Sequence, residues 1–190
     1  MGQLLSDYIK VYEHTLPSEE CQTLMERFEA SPSLHERKEV EGRYGFVQLN
    51  VTRYWKEVHT RVANVMLTSL SQYHQSLEIG QFWPSSFRAE AISLKRYLPD
   101  GRDSFSTHVD VMDDTNSRRF ITAILYLNDP GGGETRFPGL RATVTPSPGR
   151  MLVFPPLWLY LHEGLPPRDR AKYILHTYLW YPASIPRPPG

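Results

Sequence analysis

"FITAILYLNDPGGG", residues 120–133, sets an apolar run from Phe120 to Leu127 directly against an Asn-Asp-Pro-Gly-Gly-Gly turn. A short β-rich apolar segment closed by such turn residues reads as a strand. The same pattern recurs on both sides of it. Strand-like segments run from Phe87 to Tyr97, Ala142 to Thr145, Met151 to Phe154 and Lys172 to Tyr181, with Pro99-Asp100-Gly101 as a further turn. Upstream the periodicity is helical. Leu16-Pro17-Ser18-Glu19-Glu20 reads as a helix start with Ser18 as cap, followed by Cys21, Leu24, Met25 and Phe28 on one face and a stop near Pro32. A longer helix is predicted between about Val51 and Leu77, with Trp55, Val58, Val62, Val65, Met66 and Tyr73 as its apolar stripe. Helices followed by many short strands predict an α+β, mainly β fold, in which a closed barrel or jelly roll protects the strand edges and the helices pack on one sheet.

A chain of 190 residues, 40% apolar and 22% charged, has the size and make-up of one folded domain, here 1–181: residues 1–80 mainly helical support, 85–181 the β core. Residues 182–190 read as an extended proline-rich tail. Lys+Arg and Asp+Glu balance at 21 each, so no global field recruits nucleic acid. A single cysteine, Cys21, leaves no internal disulfide and no thiolate cluster, so any metal must rely on His, Asp and Glu. Met1-Gly2-Gln3-Leu4-Leu5-Ser6 formally fits a myristoylation pattern, with neither a polybasic stretch nor a nearby cysteine to reinforce it. With no apolar run long enough for a membrane span and no secretory pattern, the expected location is cytoplasmic, without membrane partners. Oligomeric state is left open.

The candidate site begins at "FSTHVDVMDD", residues 105–114. On a strand, residues i and i+2 face one side, so His108 and Asp110 would project together. Two imidazoles and a carboxylate make a facial triad that holds Fe(II) and leaves positions open. The tripeptide alone is weak evidence, since a solvated turn histidine gives the same pattern, and Asp113 and Asp114 compete as ligands. For the third ligand, His14, His35, His59 and His74 precede the β region; His162 and His176 remain. His162 is favoured, with a glycine two residues on and Lys172 ten positions later; His176 shares the face of Lys172 and is the runner-up or a substrate-side residue. The glycines at 131–133 read as a turn and not a phosphate cradle, because no helix start follows them.

Several ordered pieces together carry a more specific signal: "LKRYLPDG" at 94–101, "HVD" at 108–110, "RFITAILYLND" at 119–129, "GGGETRFPG" at 131–139, "PSPGRMLVFPP" at 146–156, "HEG" at 162–164, then Lys172. The sequence resembles the 2-oxoglutarate- and Fe(II)-dependent dioxygenases, prolyl 4-hydroxylase-like branch, over roughly its last 100 residues. The resemblance implies a double-stranded β-helix, cupin-like, with His108, Asp110 and His162 as iron ligands. It implies that Lys172 binds the distal carboxylate of 2-oxoglutarate, helped by Tyr126 and Tyr97, and that Arg119 lines the mouth and meets substrate. Tyr126 in an apolar strand and Arg119 at a strand end have plain structural readings as well. The implied reaction is hydroxylation of a prolyl residue in a peptide or protein, with 2-oxoglutarate and O₂ consumed, succinate and CO₂ released, and ascorbate as a reductant. Asp110 argues against halogenation, for which the related halogenases have a small residue at that position. The alternatives are a hydroxylase of a free amino acid or other small molecule, and a catalytically silent cupin-like binding protein. Glu36–Gly45 and Asp113–Arg118 are polar enough to be lids.

Overall fold

The computed structural model describes residues 3–78 and 80–182. The myristoylation pattern at Met1-Gly2 and the tail beyond Pro182 lie outside the described residues. In chain order the elements are β1 (Lys10–Tyr12), α1 (Ser18–Glu29), β2 (Glu36–Val40), β3 (Tyr44–Asn50), α2 (Val51–Tyr54), α3 (Lys56–Gln75), β4 (Arg88–Ala89), β5 (Ser93–Tyr97), β6 (Ser104–His108), β7 (Arg119–Tyr126), β8 (Thr135–Phe137), β9 (Ala142–Val144), β10 (Met151–Phe154), β11 (His162–Gly164) and β12 (Lys172–Trp180).

The strands pair antiparallel in the order β1-β10-β7-β12-β5-β3-β6-β11-β8-β9, with β2 added on β3 and β4 on β12. This is a nearly closed barrel, the expected double-stranded β-helix. Period-2 alternation divides the apolar side chains into two cores. Leu94, Ile121, Ala123, Leu125, Met151, Val153, Leu175 and Leu179 face outward and pack with Cys21, Leu24 and Phe28 of α1 and Val62, Val65, Met66, Leu70 and Tyr73 of α3. Tyr97, Ile124, Tyr126, Phe137, Leu152, Phe154 and Ile174, the intervening residues, face inward. Both helices therefore lie on one sheet, outside the barrel.

The structure departs from the sequence reading at four places. The long helix is broken at Trp55, whose non-helical backbone (φ −127°, ψ 70°) separates α2 from α3 and buries the indole, 2% exposed, beneath the Arg27 guanidinium. Asn50, whose side chain accepts from the Arg53 amide, caps α2. At α1 the capping position is Pro17, and Ser18 is already the first helical residue. The first 80 residues are not only helical. They contribute β1, β2 and β3, and Glu36–Gly45, expected as a lid-like loop, is mostly strand, paired from Glu36↔Gln48 to Val40↔Tyr44. β2 carries no alternation because it is exposed along its length, so its sequence, Glu-Arg-Lys-Glu-Val, hides its conformation. Finally, β6 ends at His108, so Asp110 is positioned by the turn beyond the strand.

Candidate metal centre and its pocket

β6 and β11 pair with His162 directly opposite His108, which brings the two imidazoles to 4.3 Å between ring centroids. Phe105 stacks on His108 at 3.9 Å, and Phe154 packs edge-on against His162 at 4.8 Å. In each ring Nδ1 meets a backbone carbonyl, that of Ser106 at 2.7 Å for His108 and that of Tyr160 at 2.9 Å for His162. A carbonyl only accepts, so each Nδ1 carries the proton and each Nε2 keeps its lone pair. Both Nε2 atoms converge on Asp110: His108 Nε2 is 3.6 Å from Oδ1, His162 Nε2 3.7 Å from Oδ2.

Asp110, buried, is held by hydrogen bonds to both oxygens. Tyr178 Oη donates to Oδ1 at 2.7 Å and Thr122 Oγ1 to Oδ2 at 2.8 Å, while the Asp110 amide donates to the Pro156 carbonyl. Burial pushes this carboxyl upward, but the His108 contact and the neighbouring imidazoles outweigh it and hold Asp110 well below the usual carboxylate range. Burial lowers His162 from the usual imidazole range, against the opposing pull of Asp110. One carboxylate oxygen donor and two imidazole nitrogen donors, within 4.8 Å of one another, make a set suited to a divalent transition metal. The carbonyls behind the histidines and the hydroxyls behind the aspartate orient the ligands. Asp113 and Asp114 are not in this group; Asp113 instead accepts from Thr115 in the turn that follows.

Lys172, 3% exposed, faces the same pocket. Its Nζ donates to the Gly133 carbonyl at 2.7 Å and lies 5.1 Å from the Tyr97 ring centroid and 5.9 Å from that of Tyr126. Desolvation pushes the ammonium down to about 8. The glycine turn makes room for it: a Cβ on Gly133 would come within 2.9 Å of Lys172 Cδ, and Gly133 has φ +72°. Tyr97 lines the pocket itself. Tyr126 is fully buried and reaches the wall through Thr135, its hydroxyl 2.6 Å from Thr135 Oγ1.

Arg119 stands at the mouth, but its donors are largely engaged. Its guanidinium grips the Glu90 carboxylate twice, donates to the Asp110 carbonyl at 3.1 Å and stacks over Tyr178 at 3.7 Å. His176 lies inside the pocket, edge-on to Tyr178 at 4.5 Å and outside the three-ligand group. The sequence reading missed Thr122, Tyr178, Thr135 and Lys95. Strand parity carried a signal for three of them: Tyr178 follows Lys172 by six residues, Thr122 precedes Tyr126 by four, and Lys95 precedes Tyr97 by two.

Residues 92–180 match the profile described as the 2OG-Fe(II) oxygenase superfamily. No curated protein matches the chain by sequence. Among solved structures, a viral collagen prolyl hydroxylase from Paramecium bursaria Chlorella virus-1, in its 2OG complex, is 23% identical with a TM-score of 0.70, covering 90% of this chain and 95% of that one. A Pseudomonas putida prolyl-4-hydroxylase is 21% identical, TM-score 0.68, covering 93% and 94%. A Trichoplax adhaerens prolyl hydroxylase, in complex with a hypoxia inducible factor oxygen degradation domain peptide fragment, is 16% identical, TM-score 0.71, covering 92% and 84%.

Proposed function

From the match of residues 92–180 to the 2OG-Fe(II) oxygenase superfamily profile and the geometry of the pocket, we propose that this protein is a member of that superfamily and hydroxylates an unactivated C–H bond of a prolyl residue in a peptide or protein. The balance is one C–H substrate, one O₂ and one 2-oxoglutarate giving one C–OH product, succinate and CO₂. The observation that carries the reading is the pairing of an oriented His108/Asp110/His162 donor set with a buried, pocket-facing Lys172. Fe(II) bound there would supply the oxygen activation.

The chain's own residues supply binding and dryness. In this reading Lys172 offsets the cost of taking the far carboxylate of 2-oxoglutarate out of water. Thr135 and Tyr97 wall the same end, Tyr126 braces Thr135, and Ile124 and Ile174 line the pocket with apolar surface. Tyr178 and Thr122 hold Asp110 so that both histidines face its oxygens.

A peptidyl substrate is supported by the outer groove. It shares Phe105, His108, Asp110 and Tyr178 with the inner pocket and continues past Arg43, Tyr44, Met112 and Leu161. Met112 is 69% exposed there and Leu161 42%, so apolar surface waits beside the reacting position. The Trichoplax relative was solved with a peptide. Among the described residues no helix is long and apolar enough to cross a membrane.

The test is succinate release by the Fe(II)-loaded protein in air, with ascorbate present, against proline-containing peptides, free proline and other amino acids, with mass spectrometry for one added oxygen. Peptide turnover with proline untouched is the expected result. Turnover of free amino acids alone would replace it with the small-molecule reading, and no 2-oxoglutarate consumption under any condition would leave a silent binding protein.

A further inference from the structure

Lys95 lies on β5 two residues before Tyr97 and turns to the same inner face, where it lines the pocket together with Lys172, Thr135 and the three candidate ligands. Its Nζ sits 4.8 Å from the Phe46 ring centroid. Among the described residues it makes no hydrogen bond and no ion pair, whereas Lys172 has the Gly133 carbonyl. Burial depresses the Lys95 ammonium to about 8, with Asp110 the strongest opposing influence. A half-buried ammonium with an aromatic face beside it and no hydrogen-bond acceptor is one that an arriving anion would stabilise.

Register places that anion. Tyr97 pairs with Lys172 and Ser93 with His176, so Lys95, opposite Ile174, stands one pleat from Lys172 on the way to His176. The metal-ligand cluster lies toward that end, since Tyr178, the next inward residue after His176, bonds Asp110. Lys95 is also absent from the outer groove, whose cationic residues are Arg43 and Arg119. The free ammonium therefore faces whatever fills the space between Lys172 and the metal ligands, not what lies across the mouth.

Resting on the reading of this pocket as the 2-oxoglutarate site, we propose that Lys95 is a second carboxylate-binding cation, engaging the carboxylate beside the keto group while Lys172 takes the far one. A five-carbon dicarboxylate would then be held by a lysine at each end. Selectivity for a dicarboxylate over a monoacid would then come from the protein and not from the metal.

Calorimetric binding to Mn(II)-loaded protein, without turnover, tests this with two probes: 2-oxoglutarate, and 2-oxopentanoate, which lacks the far carboxylate. Lys95→Met, which keeps an apolar stem against Phe46, is expected to weaken both probes at least tenfold. Lys172→Met is expected to weaken 2-oxoglutarate and leave 2-oxopentanoate within twofold. Lys95→Arg, which keeps the charge, should recover part of the loss. If Lys95→Met leaves both affinities within twofold, the assignment is overturned; if it does so while raising the substrate KM, the carboxylate it meets belongs to the substrate. Wild-type protein that binds no 2-oxoglutarate overturns the co-substrate reading and this assignment with it, an outcome distinct from the loss of Lys95 dependence alone.

Discussion

β12 presents Tyr173, Leu175 and Leu179 to the helices and, one residue out of step, Lys172, Ile174, His176 and Tyr178 to the barrel interior. The same nine residues thus serve stability on one face and chemistry on the other. The outward leucines are 0% and 1% exposed against α1 and α3, worth about 1.5–3 kcal/mol each in burial. The inward face buries Lys172 and His176, and burial drives both toward their neutral forms. That difference explains why the helices lie only outside: they supply the apolar area that lets the inner face stay polar.

The largest test of this division separates the two inward histidines. His162→Ala should lose metal and all measurable turnover, whereas His176→Ala should keep its metal by elemental analysis, because His162 and not His176 joins His108 in aiming its Nε2 at Asp110. Metal loss in His176→Ala with retention in His162→Ala would reverse the ligand choice. On the outer face the expected loss is of a different kind. Phe28→Ala removes a ring that is 0% exposed, stacked on His35 and edge-on to Tyr173, and should cost about 3–5 kcal/mol in urea unfolding. Its metal affinity at low temperature should be unchanged. A Phe28→Ala protein with wild-type stability and impaired metal binding would break the comparison outright.

A smaller effect probes the support behind Asp110. Tyr178→Phe removes one hydroxyl and keeps the ring under Arg119, so the fold should persist. Metal affinity should fall roughly tenfold to a hundredfold, the range for lost support of a ligand. Thr122→Val should act in the same direction through the other oxygen. Unchanged affinity in both would mean the turn after β6 alone sets the carboxylate.

The outer face was legible because apolar residues at period 2 and period 3.6 announce a sheet and the helices that cover it; Leu94, Leu125, Leu175 and Val62 all carried that signal. The three candidate ligands and Lys172 were legible through motif order. Their supports were not. Thr122 and Tyr178 are ordinary strand residues whose role depends on β7 and β12 converging on a turn from β6, a relation between segments 12 and 68 residues apart. Arg119 read as a residue that lines the mouth and meets substrate, or as a plain strand end; its engagement by Glu90 was hidden because the two lie 29 residues apart on different strand-like segments. β2 was lost for the opposite reason: exposed along its length, it needs no apolar residue, and its pairing with β3 rests on backbone hydrogen bonds.

The smallest effect is also the sharpest on the inner face, because it moves two observables in opposite directions. Lys172 has its ammonium depressed to about 8 by burial, against 10.5 in the unfolded chain. Between those values the unfolded state binds more protons than the folded one, so the stability of the ligand-free protein rises with pH. From pH 7 to pH 9 the Lys172 contribution should be about 1 kcal/mol, read as the difference in urea midpoints between wild type and Lys172→Met. Over the same window 2-oxoglutarate affinity should fall, since only the ammonium offers a charge to the far carboxylate. Lys95 adds a parallel slope to the wild type that survives in Lys172→Met, so the difference isolates Lys172 together with its repulsion from Lys95. If stability and affinity instead rise together with pH, the group titrating is not a buried ammonium, and the inner face is not organised around a pocket cation.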